Sequence, residues 1–280
     1  MASIGSEHAL RSRLLPWSAR LSVAGTLKRL RVVLADGSDL SLARRLAGAA
    51  FLIRVAGAVL AFVSQIVLAR WLGSFEFGIY VYVWTWVLLI CGMVDLGLGS
   101  AAQRLIPEYI EHRHFALLRG FLRGSLWLAS SIATAVGVVA ALIVYGLSPH
   151  INPNIVWPLY IACAVLPICG IGQVESGVAR SYGWVNLGLS PTYVLRQILL
   201  LVLLAVAFLV GLPMNAAIAT LAAAVAWWAV TFGQWAVLGR RLTKMVEPGP
   251  RAYAVRSWLS VSTPIFIVEA FFLLLTYADV

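Results

Sequence analysis

The sequence predicts an all-α protein, a polytopic bundle of membrane-spanning helices, and three observations predict it. Of its 280 residues, 61% are hydrophobic and 11% charged, against roughly 45–50% and 25% in an average soluble domain. Apolar runs of about 20 residues, the length a helix needs to cross a hydrocarbon slab of about 30 Å, recur along the chain. The basic residues fall almost entirely between those runs. A water-soluble core has no place for so much apolar surface, so the bilayer is the solvent.

Residues 1–45 are polar and arginine-rich, from Arg11 and Arg13 to Arg44 and Arg45. No short apolar core precedes a small-residue cleavage site, so this is not a secretory signal peptide. The spacing of Leu21, Leu27, Leu30 and Leu34 fits a basic amphipathic helix on anionic headgroups; a disordered segment fits the composition equally. About seven apolar segments follow, at 46–69, 78–102, 122–146, 155–179, 190–212, 214–238 and 264–280. They divide the chain into a basic cytoplasmic segment (1–45), a six-helix lobe (46–239), a cytoplasmic loop (240–263) and the start of a seventh helix (264–280). The fourth segment carries Pro158, Pro167, Gly170 and Gly172. Proline removes a helix hydrogen bond, so a bend or break is expected there, with freed backbone groups that need partners or water. Such interruptions mark transport paths in many transporters, although a static kink is the simpler reading.

Lysine and arginine set the orientation, because basic loops stay in the cytoplasm. With the amino terminus inside, all of the 21 basic residues except Arg54, Arg70 and Arg196 lie in cytoplasmic segments. The net charge of +10 is therefore a topology signal. A nucleic-acid surface needs its basic residues gathered on one soluble face, so nucleic acid is excluded as a partner. Trp71, Trp157, Trp184 and Trp258 fall near span ends, as interfacial aromatics do, whereas Trp227 and Trp228 lie mid-span and are read as packing residues. Cys91, Cys163 and Cys169 sit inside apolar runs at spacings that match no metal-ligand pattern. They are read as small packing residues, and neither a metal nor a cofactor is implied.

Five ionisable residues remain inside spans: Arg54, Asp95, Glu175, Arg196 and Glu269. Counted from the cytoplasmic ends at about 1.5 Å per residue, all five fall in one layer roughly 7 to 12 Å inside the boundary. That coincidence suggests a polar chamber open to the cytoplasm. Arg54 and Arg196 are the candidate substrate-binding residues, since two guanidinium forks hold a phosphate or pyrophosphate well. Asp95, Glu175 and Glu269 are the candidate gate or coupling residues, pairing with the arginines when no substrate is present. The alternative is structural: side chains snorkelling near helix ends, or fixed salt bridges that hold the bundle. The fragment GLGSAAQ at 97–103 has the glycines of a nucleotide-binding turn but follows a membrane helix instead of a strand.

Several stretches resemble a known family. In LARWLGSFEFGIYVYVWTWVLLICGMVDLGLGSAAQRLIPEY, Ala69 and Arg70 close the first helix. Gly73, Phe77, Gly78 and Tyr80 form a turn, and Asp95, Leu96 and Gly97 end the second helix. This pattern resembles the first signature of bacterial polysaccharide exporters. GVARSYGWVNLGLSPTYVLRQIL, with Arg180, Pro191 and Arg196, resembles their link between helices four and five, and STPIFIVEAFFLLLTYADV the start of helix seven. The resemblance covers about residues 46–280 and implies the polysaccharide branch of the multidrug, oligosaccharidyl-lipid and polysaccharide exporter superfamily. Members carry twelve to fourteen helices in two lobes that rock about a central cavity, moving lipid-linked sugar across the inner membrane. Arg54 in LIRVAG is matched to a first-helix arginine that lines the cationic cavity of related flippases.

The resemblance therefore implies a membrane transporter, not an enzyme, in the bacterial inner membrane with its amino terminus in the cytoplasm. Its partners would be membrane lipids, a polyprenyl-linked oligosaccharide and a second lobe that could be encoded separately, since this chain reads as an incomplete fragment. Its rivals are a cation-coupled multidrug exporter of the same superfamily, a membrane-embedded polysaccharide polymerase or ligase, and a non-transporting scaffold. Polymerases and ligases commonly carry a large outer loop with catalytic residues, whereas the outer connections here are short and His150 is their one histidine.

Overall fold

A computed structural model describes residues 39–276, and the helical bundle is built from Ala50 onward; the proposed amphipathic segment lies outside the described residues. The architecture is all-α, with helices long and apolar enough to cross a membrane. Helix α1, Asp39–Cys91, holds one non-helical residue, Gly73, at φ 75° and ψ 170°. That left-handed value is open to glycine without steric cost, and the chain reverses there. Ser64 and Gln65 before Gly73 line the same small cavity as Tyr80 and Trp84 after it, although an unbroken straight helix would hold Ser64 and Trp84 about 30 Å apart. The two arms of α1 are thus the first and second membrane crossings.

The second crossing stops at Cys91, short of the 102 expected. Residues 92–97 form a turn, and a separate helix α2, Leu98–Glu111, follows. Asp95 builds this junction: its carboxylate accepts hydrogen bonds from the amides of Gly97 (3.3 Å) and Gly99 (2.9 Å), which satisfies donors that α2 would otherwise leave open. The glycine turn that resembles a nucleotide-binding loop is thus occupied by the protein's own aspartate.

Helix α3, Phe115–Leu147, leads through a short 3₁₀ turn, Ser148–His150, to α4, Pro153–Ser181. The break expected in α4 is absent: the segment is helical through Pro158 and Pro167. Its glycines serve contact instead. Gly177 lies against the backbone of Gly99 and Gly170 against Ala129 and Ala133, the close approach by which helices associate in lipid, where no hydrophobic force drives them together. The interruption falls in the next crossing, where α5 (Val185–Ser190) passes through a π-helical segment, Pro191–Leu195, into α6 (Arg196–Leu209).

Helix α7, Ala216–Met245, buries Ala216, Ala219, Ala222, Ala223 and Ala226. Asn215 caps its start by accepting from the amide of Ile218 at 3.0 Å, and Glu76 accepts from Ala216 at 2.7 Å. Glu76 follows Gly73, so the first turn and the start of α7 lie at one end of the bundle. Helix α8, Val255–Thr276, starts nine residues before the expected 264. The preceding loop shrinks to 246–254, because α7 runs on through the basic residues 240–244.

The packing reading of the cysteines is overturned for two of the three. Cys91 and Cys169 form a disulfide, with Cα atoms 5.5 Å apart, that ties α1 to α4, while Cys163 is free.

Candidate functional site

Four of the five in-span ionisable groups lie against partners, but they fall into two groups. The first forms around the turn at 92–97. Glu269 of α8 accepts from the Ser100 hydroxyl at 2.6 Å, and its charge acts on Asp95. Arg180, at the end of α4, lies close enough to Tyr193, Arg54, Glu269 and Asp95 for each to act on it. Arg54 stands 6.0 Å from the Tyr193 ring centroid. Charged groups from α1, the turn and α8, together with the tyrosine of the π segment, therefore lie around Arg180. Arg54 and Tyr193 are exposed at this face, whereas Asp95 is buried.

Local sequence explains these placements. Gly57 faces Tyr193, and a Cβ there would come within 2.8 Å of the Tyr193 backbone oxygen, so the missing side chain lets α1 close on the π segment with Arg54 one turn away. A π segment turns its residues relative to an α-helix and is a frequent device at functional sites. Here it faces Tyr193 and Arg196 toward different neighbours.

Arg196 belongs to the second group. Its guanidinium lies 4.3 Å from the centroid of Trp227 on α7, a cation–π contact strengthened by desolvation. With Ser64, Gln65, Tyr80, Trp84 and Gln197 it lines a cavity of 20 Å³, about enough for one ordered water. Trp227 is more than the packing residue its mid-span position suggests: it is the aromatic platform of this arginine and also meets Trp84 at 5.7 Å.

Glu175 stands apart from both groups. It is fully buried in α4, and neither carboxylate oxygen has a hydrogen-bond partner among the described residues. Three of the five charges, Arg54, Asp95 and Glu269, thus gather at Arg180, with an aromatic site at Arg196 and Glu175 apart from both. The helices that carry Arg196 and Glu269 begin at Val185 and Val255, before the apolar onsets at 190 and 264.

Arg180, Tyr193 and Ser100 join the site without being sequence candidates. Arg180 reads in the sequence as a loop charge, yet no proline stands between Pro167 and Pro191. That pattern places it inside the helix. Among the described residues, no three His, Cys, Asp or Glu side chains gather to hold a metal ion.

The helices and the polar face they build define a multi-pass helical membrane protein. A solved structure of a multidrug resistance MATE family transporter of the MOP superfamily, in an outward-facing conformation, is similar with a TM-score of 0.61 at 15% identity; the match covers 84% of this chain and 52% of that one. The chain thus spans about half the length of the structure it matches. No curated protein sequence matches it. Residues 45–280 match the family described as polysaccharide biosynthesis protein, and the chain belongs to that family.

Proposed function

We propose that this chain is one lobe of a transporter that flips lipid-linked oligosaccharide across the inner membrane, its amino terminus in the cytoplasm. The observation that carries this reading is the set of charges of both signs gathered around Arg180, with Arg54 exposed at its edge beside Tyr193. Arg54 and Arg180 supply forked donors for a diphosphate. Asp95 and Glu269 supply carboxylates whose charge offsets that of Arg180 when the site is empty. Arg196, over Trp227, adds positive charge deeper along the same crossing. The sugar then follows the polar face while the polyprenyl tail stays in lipid, and no bond is made or broken. Glu175 is retained as a coupling candidate because a buried carboxyl without partners is the kind of group whose proton or cation occupancy can change with conformation.

The test is translocation of a fluorescent polyprenyl-diphosphate oligosaccharide by the full-length protein in vesicles. Arg54→Glu is expected to reduce the rate by about 100-fold, roughly two charge-assisted hydrogen bonds, with folding unchanged. A wild-type rate in that variant removes Arg54 from the site.

A second reading, export of organic cations coupled to a proton or sodium ion, is favoured by the fold shared with the multidrug transporter and by the neighbouring Asp95 and Glu269. Flux of a lipophilic cation in the same vesicles separates the two. Cation flux without oligosaccharide flipping selects the second.

A further inference from the structure

We propose that the groove between α3, α4, α7 and the loop 246–254 binds an anionic phospholipid of the cytoplasmic leaflet, separately from the Arg54 cluster. The groove measures 1100 Å³, slightly above the upper end, roughly 1,000 Å³, of ordinary small-molecule sites. Arg119, Arg123 and Arg251 line one end, together with Glu247, and Trp127, Phe232 and Trp235 line the apolar wall. From Arg119 to Ser130, both at the groove, α3 rises roughly 16 Å, about the reach of an acyl chain. One cavity therefore combines a cationic mouth with an apolar trough along the membrane normal.

The mouth is built, not a chance meeting of surface arginines. Arg119 donates through Nε to the Pro250 carbonyl at 2.9 Å and through Nη1 to the Glu247 carbonyl at 3.1 Å. Ala252 donates its amide to the Ala116 carbonyl at 2.9 Å. These bonds pin the loop to α3, and Gly249 lies directly on the Arg119 guanidinium. The pinned loop presents Arg251 at the mouth, and Arg123 follows Arg119 by one turn of α3; both are exposed.

Charge complementarity selects the occupant. Three guanidinium groups against the one Glu247 carboxylate favour a headgroup with net negative charge, and basic pockets between helices at the cytoplasmic side are suited to anionic lipids. The wall offers Trp127, Trp235 and Phe232 at 67%, 56% and 52% exposure, apolar area that an acyl chain covers.

The experiment is photolabelling of the full-length protein in nanodiscs with phosphatidylglycerol that carries a diazirine in one acyl chain, followed by peptide mapping. Label is expected on peptides spanning 119–130 and 231–242. Unlabelled phosphatidylglycerol is expected to compete about tenfold better than phosphatidylcholine, and Arg123→Gln with Arg251→Gln to abolish that preference. Arg240→Gln, a substitution of an exposed arginine outside the groove, serves as the control, and the melting temperature of each variant reports folding. Label spread evenly over the apolar surface overturns the proposal, as does equal competition by the two lipids or a loss in Arg240→Gln as large as in the double variant. Cross-links from the groove to the rest of the full-length chain or to a second copy would show another occupant and overturn it too.

Discussion

Asp95 and Glu175 are both buried carboxylates, and they illustrate opposite solutions to burial. Asp95 directs its lone pairs at the amides of Gly97 and Gly99 and so fixes the start of α2. Removing a capping carboxylate costs about 0.5–2 kcal/mol. Asp95→Ala is therefore expected to destabilise the protein by about that amount, while Asp95→Asn, whose amide oxygen still accepts, stays within a few tenths of a kcal/mol. Thermal unfolding in detergent measures both. If Asp95 also serves as a gate, Asp95→Asn lowers transport without lowering the melting temperature. Among the described residues Glu175 has no hydrogen-bond partner for either oxygen, and a buried polar group left unpaired costs about 1–3 kcal/mol. Glu175→Leu is expected to raise stability by a comparable amount and to abolish coupled transport. A variant less stable than wild type would mean that the carboxylate is satisfied in the membrane.

The elements show where the sequence is readable and where it is not. Every crossing is legible, because an unbroken apolar run as long as a bilayer is thick suits a membrane span and little else. Breaks are harder. Pro158 and Pro167 announce an interruption in α4, yet a proline removes a single hydrogen bond and neighbouring helices accommodate it. The π segment starts at Pro191, a residue with the same local signal, and what distinguishes it is tertiary contact: Gly57 lets α1 press against Tyr193. The turn after Cys91 is hidden from the apolar pattern, which runs on to 102, and only the family resemblance, in which Asp95, Leu96 and Gly97 end the second helix, marks it. Gly97 is indispensable to this turn. Its φ is +72°, and a Cβ would come within 2.9 Å of the Ser262 carbonyl on α8. Gly97→Ala is expected to cost about 1–3 kcal/mol through strain alone and to loosen α8, measured as faster hydrogen exchange at 258–266. The site is legible only in its residue types. Arg54, Asp95 and Glu269 stand out because charge in a membrane is conspicuous, but Arg180 is lost among basic loop residues and Tyr193 carries no charge to betray it. The cysteines make the same point, since proximity between residues 78 positions apart leaves no trace in one sequence. Alkylation of the unreduced, denatured protein is expected to modify Cys163 alone among the three cysteines, with all three modified after reduction.

On the scale of the whole molecule, burial is uneven in a way that bears on transport. The most apolar stretches of α7 and α4 are 44% and 39% buried, whereas those of α1 and α8 are each 6% buried. The centre of the bundle is therefore α4 and α7, and the helices that carry Arg54 and Glu269 lie at its margin. Phe51, Leu52 and Phe62 on α1 and Val268, Phe271 and Leu275 on α8 are all exposed. Lipid can cover such residues, but lipid does not solvate Arg54 cheaply, because a charge in hydrocarbon needs protein or water beside it. A second lobe facing α1 and α8 would supply both a wall and a wet cavity, and alternating access by rocking requires two bodies around one site. On the proposed reading, the 280-residue chain reconstituted alone is expected to translocate no labelled polyprenyl-linked oligosaccharide, and the same chain joined to a second lobe is expected to translocate it. In that joined protein, cysteines introduced at Leu52 and Phe271 are expected to cross-link to the second lobe and to stop transport until reduced. Transport by the isolated chain at the same rate would mean that one lobe encloses a complete path, and the Arg54 face would then have to be solvated by the chain itself.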